Sequence, residues 1–236
     1  MRTHITILLL TLGGITFGQA YNFQQLSIQQ GLPQSQAYDI LFDSTQHAWI
    51  GTQGGGLCRY DGFEFNYFTK NDSLISNRVY CLEQIDDKIW VGQKGGVSVF
   101  DLNARFVRNY KLSGQASVVQ DIIKHKEEVY IATDAGAMKI EKGKLIFHTD
   151  NVSISPINIY NFFESDEGLW CCTANGLLHF EEPTRKITRA KGLSVDQVNC
   201  AIEFGAYWVI GTYGGGINLY SPIEGVLDAN PFEELS

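Results

Sequence analysis

A chain of 236 residues with 18 Lys and Arg against 26 Asp and Glu carries a net charge of −8 and no cluster of basic residues. Such a chain would repel phosphate backbones, so its composition argues against a nucleic-acid partner. With 44% hydrophobic and 12% aromatic residues it has the means to fill the core of one large all-β domain or two small ones.

In chain order, Met1-Arg2-Thr3-His4, the apolar run Ile5 to Leu12 and the exit Gly18-Gln19-Ala20 have the form of a secretory signal peptide over residues 1–20, with cleavage expected after Ala20. A membrane anchor fits less well, because Thr11, Gly13 and Gly14 interrupt a run already shorter than the ~20 apolar residues of a span. No cysteine flanks the cut and no second spanning run follows. The mature chain of 216 residues is therefore expected to be periplasmic or secreted, without a membrane span, and with a side-chain charge of −9 once Arg2 is lost.

Residues 21–221 then repeat. Asn22 to Leu26 reads as a lone strand, Gly31-Leu32-Pro33 as a turn, and Ala37 to Phe42 as a strand in which Tyr38, Ile40 and Phe42 alternate with Asp39 and Leu41. The same strand returns as Val79 to Glu83, Val118 to Ile122, Ile159 to Phe163 and Val198 to Ile202. A polar turn leads from each into an anchor strand. The equivalent residues Trp49, Trp90, Tyr130, Trp170 and Val209 of these strands are spaced by 41, 40, 40 and 39. Gly56, Gly96, Gly136, Gly176 and Gly216 open a third strand, as a tight turn or a close neighbouring backbone would require. A more polar fourth strand ends the unit, as in Phe63 to Phe68 and Lys144 to His148. Four antiparallel strands in about 40 residues make one blade of a β-propeller, so the sequence is read as all-β with five blades. No fourth strand is evident after Tyr220, and residues 222–236 read as an irregular acidic tail. The lone first strand is read as the missing edge, closing a five-bladed ring and removing open edges. Part of a larger ring, for example one of seven blades, would show the same count.

Cys58, Cys81, Cys171, Cys172 and Cys200 are read as free thiols, mostly buried, since Cys81 and Cys200 occupy one place in different repeats and Cys171 and Cys172 face opposite ways on one strand. The repeated tryptophans are read as packing residues, and Asp61, Asp101, Glu141 and Glu181 as turn formers. The glycine triplets 54–56 and 214–216 join strand to strand, with no helix N-terminus to cradle a phosphate. His47, His125, His148 and His179 have no metal spacing, there is no GxSxG, and no cofactor is expected.

Candidate ligand-binding residues lie where first strands begin and where second strands turn into third ones. They are Gln36, Arg78, Asn158 and Gln197 before the first strands, and Gln53, Lys94, Asp134, Asn175 and Tyr213 in the turns. With Tyr38, Tyr80 and Tyr160 they would offer sugar hydroxyls both hydrogen bonds and stacking. Arg78, Lys94 and Asp134 break the repeat most sharply. A glycan-cleaving enzyme is a second reading, with Asp39 and Asp121 as its carboxylate pair at a separation of ~5 to 10 Å. A protein-interaction scaffold, with a partner supplying missing blades, is a third.

Gly31-Leu32-Pro33, Tyr38 to Asp43, Ala48-Trp49-Ile50-Gly51-Thr52, Gly55-Gly56-Leu57 and Tyr60-Asp61-Gly62-Phe63 together resemble the two-component regulator propeller repeat, the periplasmic sensor region of hybrid two-component systems common in Bacteroidetes. The likeness covers residues 21–221, with Tyr130, Ala132 and Cys172 as departures in the third and fourth repeats. It implies a ligand-sensing module, often for oligosaccharides, that signals through a kinase-bearing partner or domain and has no chemistry of its own. No kinase segment, phosphoacceptor helix or span follows Ser221, so phosphotransfer is not expected of this sequence alone.

Overall fold

The computed structural model describes residues 25–148, 157–181, 186–188 and 192–228. The expected leader and most of the lone strand at Asn22 to Leu26 lie outside these residues. Five four-stranded antiparallel sheets follow one another, each built from four consecutive strands in sequence order. The first holds β1 (Ala37–Phe42), β2 (Ala48–Thr52), β3 (Leu57–Tyr60) and β4 (Phe65–Phe68), and the second β5 (Val79–Ile85), β6 (Lys88–Gln93), β7 (Gly96–Asp101) and β8 (Phe106–Lys111). The third holds β9 (Val119–His125), β10 (Glu128–Thr133), β11 (Gly136–Glu141) and β12 (Lys144–Phe147), and the fourth β13 (Ile159–Ser165), β14 (Gly168–Thr173), β15 (Gly176–His179) and β16 (Lys186–Ile187). The fifth holds β17 (Val198–Phe204), β18 (Tyr207–Thr212), β19 (Gly216–Ser221) and β20 (Gly225–Asp228). No helix among the described residues is long and apolar enough to cross a membrane.

β20 corrects the reading of the fifth blade. It pairs with β19, matching Tyr220 with Val226 and Ser221 with Gly225, so the expected tail begins with a strand and the blade supplies its own fourth edge. The lone first strand is not needed there. Four residues after a turn at Gly225, whose φ is +91°, are too short a stretch to show a period of two.

Register confirms the repeat alignment residue by residue. Trp49 lies opposite Leu41, Trp90 opposite Glu83, Tyr130 opposite Ile123, Trp170 opposite Phe163 and Val209 opposite Ile202. In the first, second and fourth blades the glycine that opens the third strand is required by the neighbouring backbone, whereas a Cβ on Gly216 would meet nothing within 4 Å. A Cβ on Gly56 would lie 2.2 Å from the Phe68 carbonyl oxygen, and one on Gly96 2.2 Å from that of Tyr110.

The core is a series of seams between successive blades. Trp49, Leu57, Leu82 and Phe100 fill the first seam, and Trp90, Val97, Ile122 and Met138 the second. Tyr130, Ala137, Phe162 and Phe180 fill the third, and Trp170, Leu177, Ala201 and Trp208 the fourth. Trp170 and Trp208 meet edge to face with centroids 5.2 Å apart. Cutting such a side chain to alanine costs about 3–5 kcal/mol. The tryptophans are thus the packing residues their repetition implied. All five cysteines are free, four of them buried and Cys200 exposed. Burial alone pushes the Cys58 thiol up to about 12. Among the described residues no comparable seam joins the fifth sheet to the first, and the blades form an arc.

Candidate functional site

Every first strand breaks its ladder at the same point. The register slips around Tyr38, Tyr80, Gln120, Tyr160 and Asn199, so each of these residues is the extra residue of a β-bulge. A bulge re-aims a side chain that alternation would otherwise bury against a neighbour. Here it produces a row of tyrosines and amides at one rim of the arc. Tyr38 and Tyr80, from adjacent blades, stack with centroids 5.4 Å apart and planes 11° from parallel. The Gln120 amide donates to the Asn158 side-chain oxygen at 3.3 Å.

The same rim carries the second-to-third turns, four of them tied to the residue before their own first strand. The backbone N–H of Gln53 donates to the Gln36 carbonyl at 3.1 Å, Lys94 to Arg78 at 3.2 Å, Asp134 to Val118 at 3.4 Å and Tyr213 to Gln197 at 2.9 Å. Threonine hydroxyls brace the turns from beneath, Thr52 donating to Gly56 O at 2.8 Å, Thr173 to Gly176 O at 2.8 Å and Thr212 to Gly216 O at 2.9 Å. In the second blade Gln93 replaces the threonine. Its side chain accepts from Ser76 N at 2.9 Å and donates to Ser98 Oγ at 3.1 Å.

The fold therefore pairs Gln36 with Gln53, Arg78 with Lys94 and Gln197 with Tyr213, with Asn158 beside Gln120. Asn175 sits one residue further along its turn than the others. The residue that follows Thr173, as Gln53 follows Thr52, is Ala174, and the backbone N–H of Asn175 donates to Thr173 Oγ1 at 3.0 Å. Arg78 and Lys94 are exposed, and among the described residues neither lies in an ion pair with a carboxylate. Asp134 is instead part of the framework, accepting from Ser117 N at 2.8 Å, from Val118 N at 3.1 Å and from the Ser117 hydroxyl. Burial works against its charge, but these hydrogen bonds outweigh it and hold the carboxyl below the usual range.

Asp39 and Asp121 occupy equivalent places on their first strands and do equivalent work. Asp39 accepts from Leu82 N of the next blade at 2.7 Å, and Asp121 from Phe162 N at 2.7 Å and from the Asn161 amide at 3.0 Å. These backbone amides lie on the inner edge of a first strand, where no ladder partner exists, and the carboxylates satisfy them. The other carboxylate oxygen of each bonds the following amide, Ile40 N at 2.8 Å and Ile122 N at 2.8 Å.

Sequence reasoning missed Glu83. It stands where the other blades have Leu41, Ile123, Phe163 and Ile202, and a charge in an apolar column is the signal that could have found it. Burial, then the nearby charges of Asp121 and Asp39, push its carboxyl up to about 7. Burial likewise raises Asp121 to about 6, against hydrogen bonds from Phe162 and Ile122 that lower it. Among the described residues no three His, Cys, Asp or Glu side chains are grouped to hold a metal. A cleft lined by Lys111, Ser113 and Lys144 lies between the outer strands β8 and β12, away from the rim. The rim is distinguished by its chemistry and not by depth.

No protein-family model and no curated protein matches the chain. Solved structures do. The extracellular domain of BT4673 from B. thetaiotaomicron, described as a one-component and as a hybrid two-component system in its two structures, is similar at TM-scores of 0.65 and 0.62 with 22% identity. The alignment takes in 82% and 81% of this chain but only 28% and 27% of that domain, so the chain spans little more than a quarter of it. The Neurospora crassa Pan2 WD40 domain matches at a TM-score of 0.60 and 13% identity, over 82% of this chain and 65% of that one. The WD40 β-propeller domain of Doa1 matches at 0.59 and 13%, over 82% and 67%. The fold is that of a β-propeller, and the neighbour from B. thetaiotaomicron agrees with the resemblance its repeats carry to the two-component regulator propeller family.

Proposed function

We propose that this chain is the ligand-recognising propeller of an exported two-component sensor, working in the periplasm or outside the cell, and that its ligand is an oligosaccharide. The observation that carries this reading is the bulged row at the rim, with the Tyr38 and Tyr80 rings stacked 5.4 Å apart beside exposed Arg78 and Lys94 and the amides of Gln36, Gln53, Asn158 and Gln197. Flat rings next to hydroxyl-matching amides suit a pyranose, whose faces are apolar and whose edge is polar. The similarity to an extracellular domain of a hybrid two-component system supports the sensor role. Recognition, not conversion, fits carboxylates at Asp39 and Asp121 that are held by backbone amides.

The test is a thermal-melt screen of the purified chain against oligosaccharides. A ligand present at a hundred times its Kd stabilises by about 2.7 kcal/mol, a shift of several degrees. Tyr80→Ala is expected to abolish that shift; because the ring is half-buried and stacked on Tyr38, its loss also lowers the unliganded melt by on the order of 1 kcal/mol, and the ligand shift is read against the variant's own unliganded melt. A full oligosaccharide panel without a shift, or a shift that survives Tyr80→Ala unchanged, overturns the reading.

A further inference from the structure

Four second-to-third turns are joined by a backbone hydrogen bond to the residue before their first strand, and only one of the four joins two cations. In the first and fifth blades the joined residues are Gln36 with Gln53 and Gln197 with Tyr213, all uncharged. In the second they are Arg78 and Lys94. Like charges held side by side repel, so the fold gains nothing from this pair by itself. Both residues are exposed, and among the described residues neither side chain meets a carboxylate or donates a hydrogen bond within the chain. Asp134, the other charged residue that breaks the repeat at this rim, is taken up by Ser117 and Val118. The framework uses the anion and leaves both cations to solvent.

The backbone beneath these cations is fixed more closely than a solvated loop requires. The Arg78 N–H donates to Ser76 Oγ at 3.1 Å, the Ser76 N–H to Gln93 Oε1 at 2.9 Å, and the Gln93 amide to Ser98 Oγ at 3.1 Å. Gln93 is fully buried and takes the place that threonine holds in the other blades. Lys94 also bridges to Val118 of the next blade, and the N–H of Gly95 donates to the Ser117 carbonyl at 2.8 Å. The second blade thus has its own brace exactly where it has its own charges. A backbone held in advance reduces what the two side chains must give up when they engage a ligand.

Resting on the reading of this rim as an oligosaccharide site, we infer that the oligosaccharide is acidic and that Arg78 and Lys94 bind its anionic group, a carboxylate or a sulfate ester. The Arg78 guanidinium offers a planar fork of N–H donors that matches two oxygens of either group, and the Lys94 ammonium adds a second charge. Tyr80 follows Arg78 by two residues and stacks on Tyr38, so an apolar sugar face and an anionic substituent are served from one strand start. Neutral hydroxyls fall to Gln36 and Gln53 on the adjoining blade. A chain of net charge −8 repels an acidic ligand over most of its surface, which favours a place where the local sign is reversed. Two cations are too few to hold a nucleic-acid backbone or an anionic membrane. They are enough to choose between a neutral and an acidic sugar.

The test is calorimetric titration of the purified chain with matched oligosaccharides. The probes are galacturonate oligomers and the same oligomers with their carboxyls reduced, sulfated carrageenan fragments and the same fragments desulfated, and neutral xylo-oligosaccharides. Binding of an acidic member is expected, with its neutralised counterpart about tenfold weaker and the affinity falling as salt rises from about 50 to 300 mM. Which acidic member binds tells carboxylate from sulfate. Arg78→Gln and Lys94→Gln are each expected to weaken the acidic ligand about fivefold and to leave the neutralised one unchanged, a difference that a merely structural loss would not produce. Equal binding of an acidic ligand and its neutralised counterpart, or equal binding of the acidic ligand by the parent and both variants, overturns the inference. Binding of neutral members alone, lost in Tyr80→Ala, overturns it too but leaves the oligosaccharide reading standing. Absence of binding by every member overturns both.

Discussion

At the scale of single residues, Glu83 is an ionisable group in an otherwise apolar column. Its carboxyl has an ordinary value of 4.5 and rises to about 7 in the fold, with burial the main cause and Asp121 and Asp39 adding to it. Between these values the folded chain holds a proton that the unfolded chain has released, so stability falls as pH rises from about 4.5 through 7. Asp121, raised from 3.8 to about 6, acts in the same direction. Glu83→Gln is expected to flatten the slope and to stabilise the chain at pH 7.5 by on the order of 1 kcal/mol, solvent screening of a half-buried group allowed for. Urea midpoints of parent and variant at pH 5 and 7.5 measure this, and an identical slope in both would contradict the placement. The tyrosines at 38, 80 and 160 were legible as aromatics near the strand starts. That they escape the ladder was not, because a bulge is one extra residue in a backbone and leaves no mark in a pattern of hydrophobicity. Asp134 broke the repeat and looked functional, but a carboxylate 2.8 Å from Ser117 N in space and seventeen residues from it in sequence cannot be seen as a loop brace until the chain is folded.

At the scale of elements, the second-to-third turn decides whether a blade forms. Gly96 has a φ of +154° and lies against the Tyr110 carbonyl of the blade's last strand. Any side chain there must push two strands apart. Gly96→Ala is expected to cost about 2 kcal/mol or more, read as a lower urea midpoint with an unchanged slope. Gly62→Ala provides the contrast, since a Cβ there meets nothing within 4 Å and only its φ of +99° opposes the change. Equal losses in the two variants would show that close approach plays no part at Gly96. The first three strands of every blade and the fourth strands at Phe65–Phe68 and Lys144–Phe147 follow from the repeat punctuated by glycine and acidic turns, whereas β20 was hidden in Gly225-Val226-Leu227-Asp228, where four residues carry too little pattern. The anchor strands were the clearest because packing fixes a large aromatic of theirs in every seam, Trp49, Trp90, Tyr130 and Trp170 in turn, while the edge strands answer mostly to solvent.

At the scale of the whole molecule, the chain is an arc of blades whose shared rim carries the repeat-breaking residues. The sequence period announced the propeller, and no local pattern could say whether the arc closes, because closure depends on curvature summed over all the seams. Other described surfaces compete with the rim, among them the cleft at Lys111, Ser113 and Lys144 between β8 and β12 and the hollow at Tyr130, His148, Phe180 and Glu181. Hydrogen exchange by mass spectrometry, with and without an oligosaccharide that shifts the melt, separates the rim from these surfaces most directly. Added protection is expected in peptides that hold Gln36 to Tyr38, Arg78 to Tyr80, Asn158 to Tyr160 and Gln197 to Asn199, and in the turns at Gln53 and Lys94. Protection confined to the β8 and β12 cleft, or none at the rim, would contradict the account.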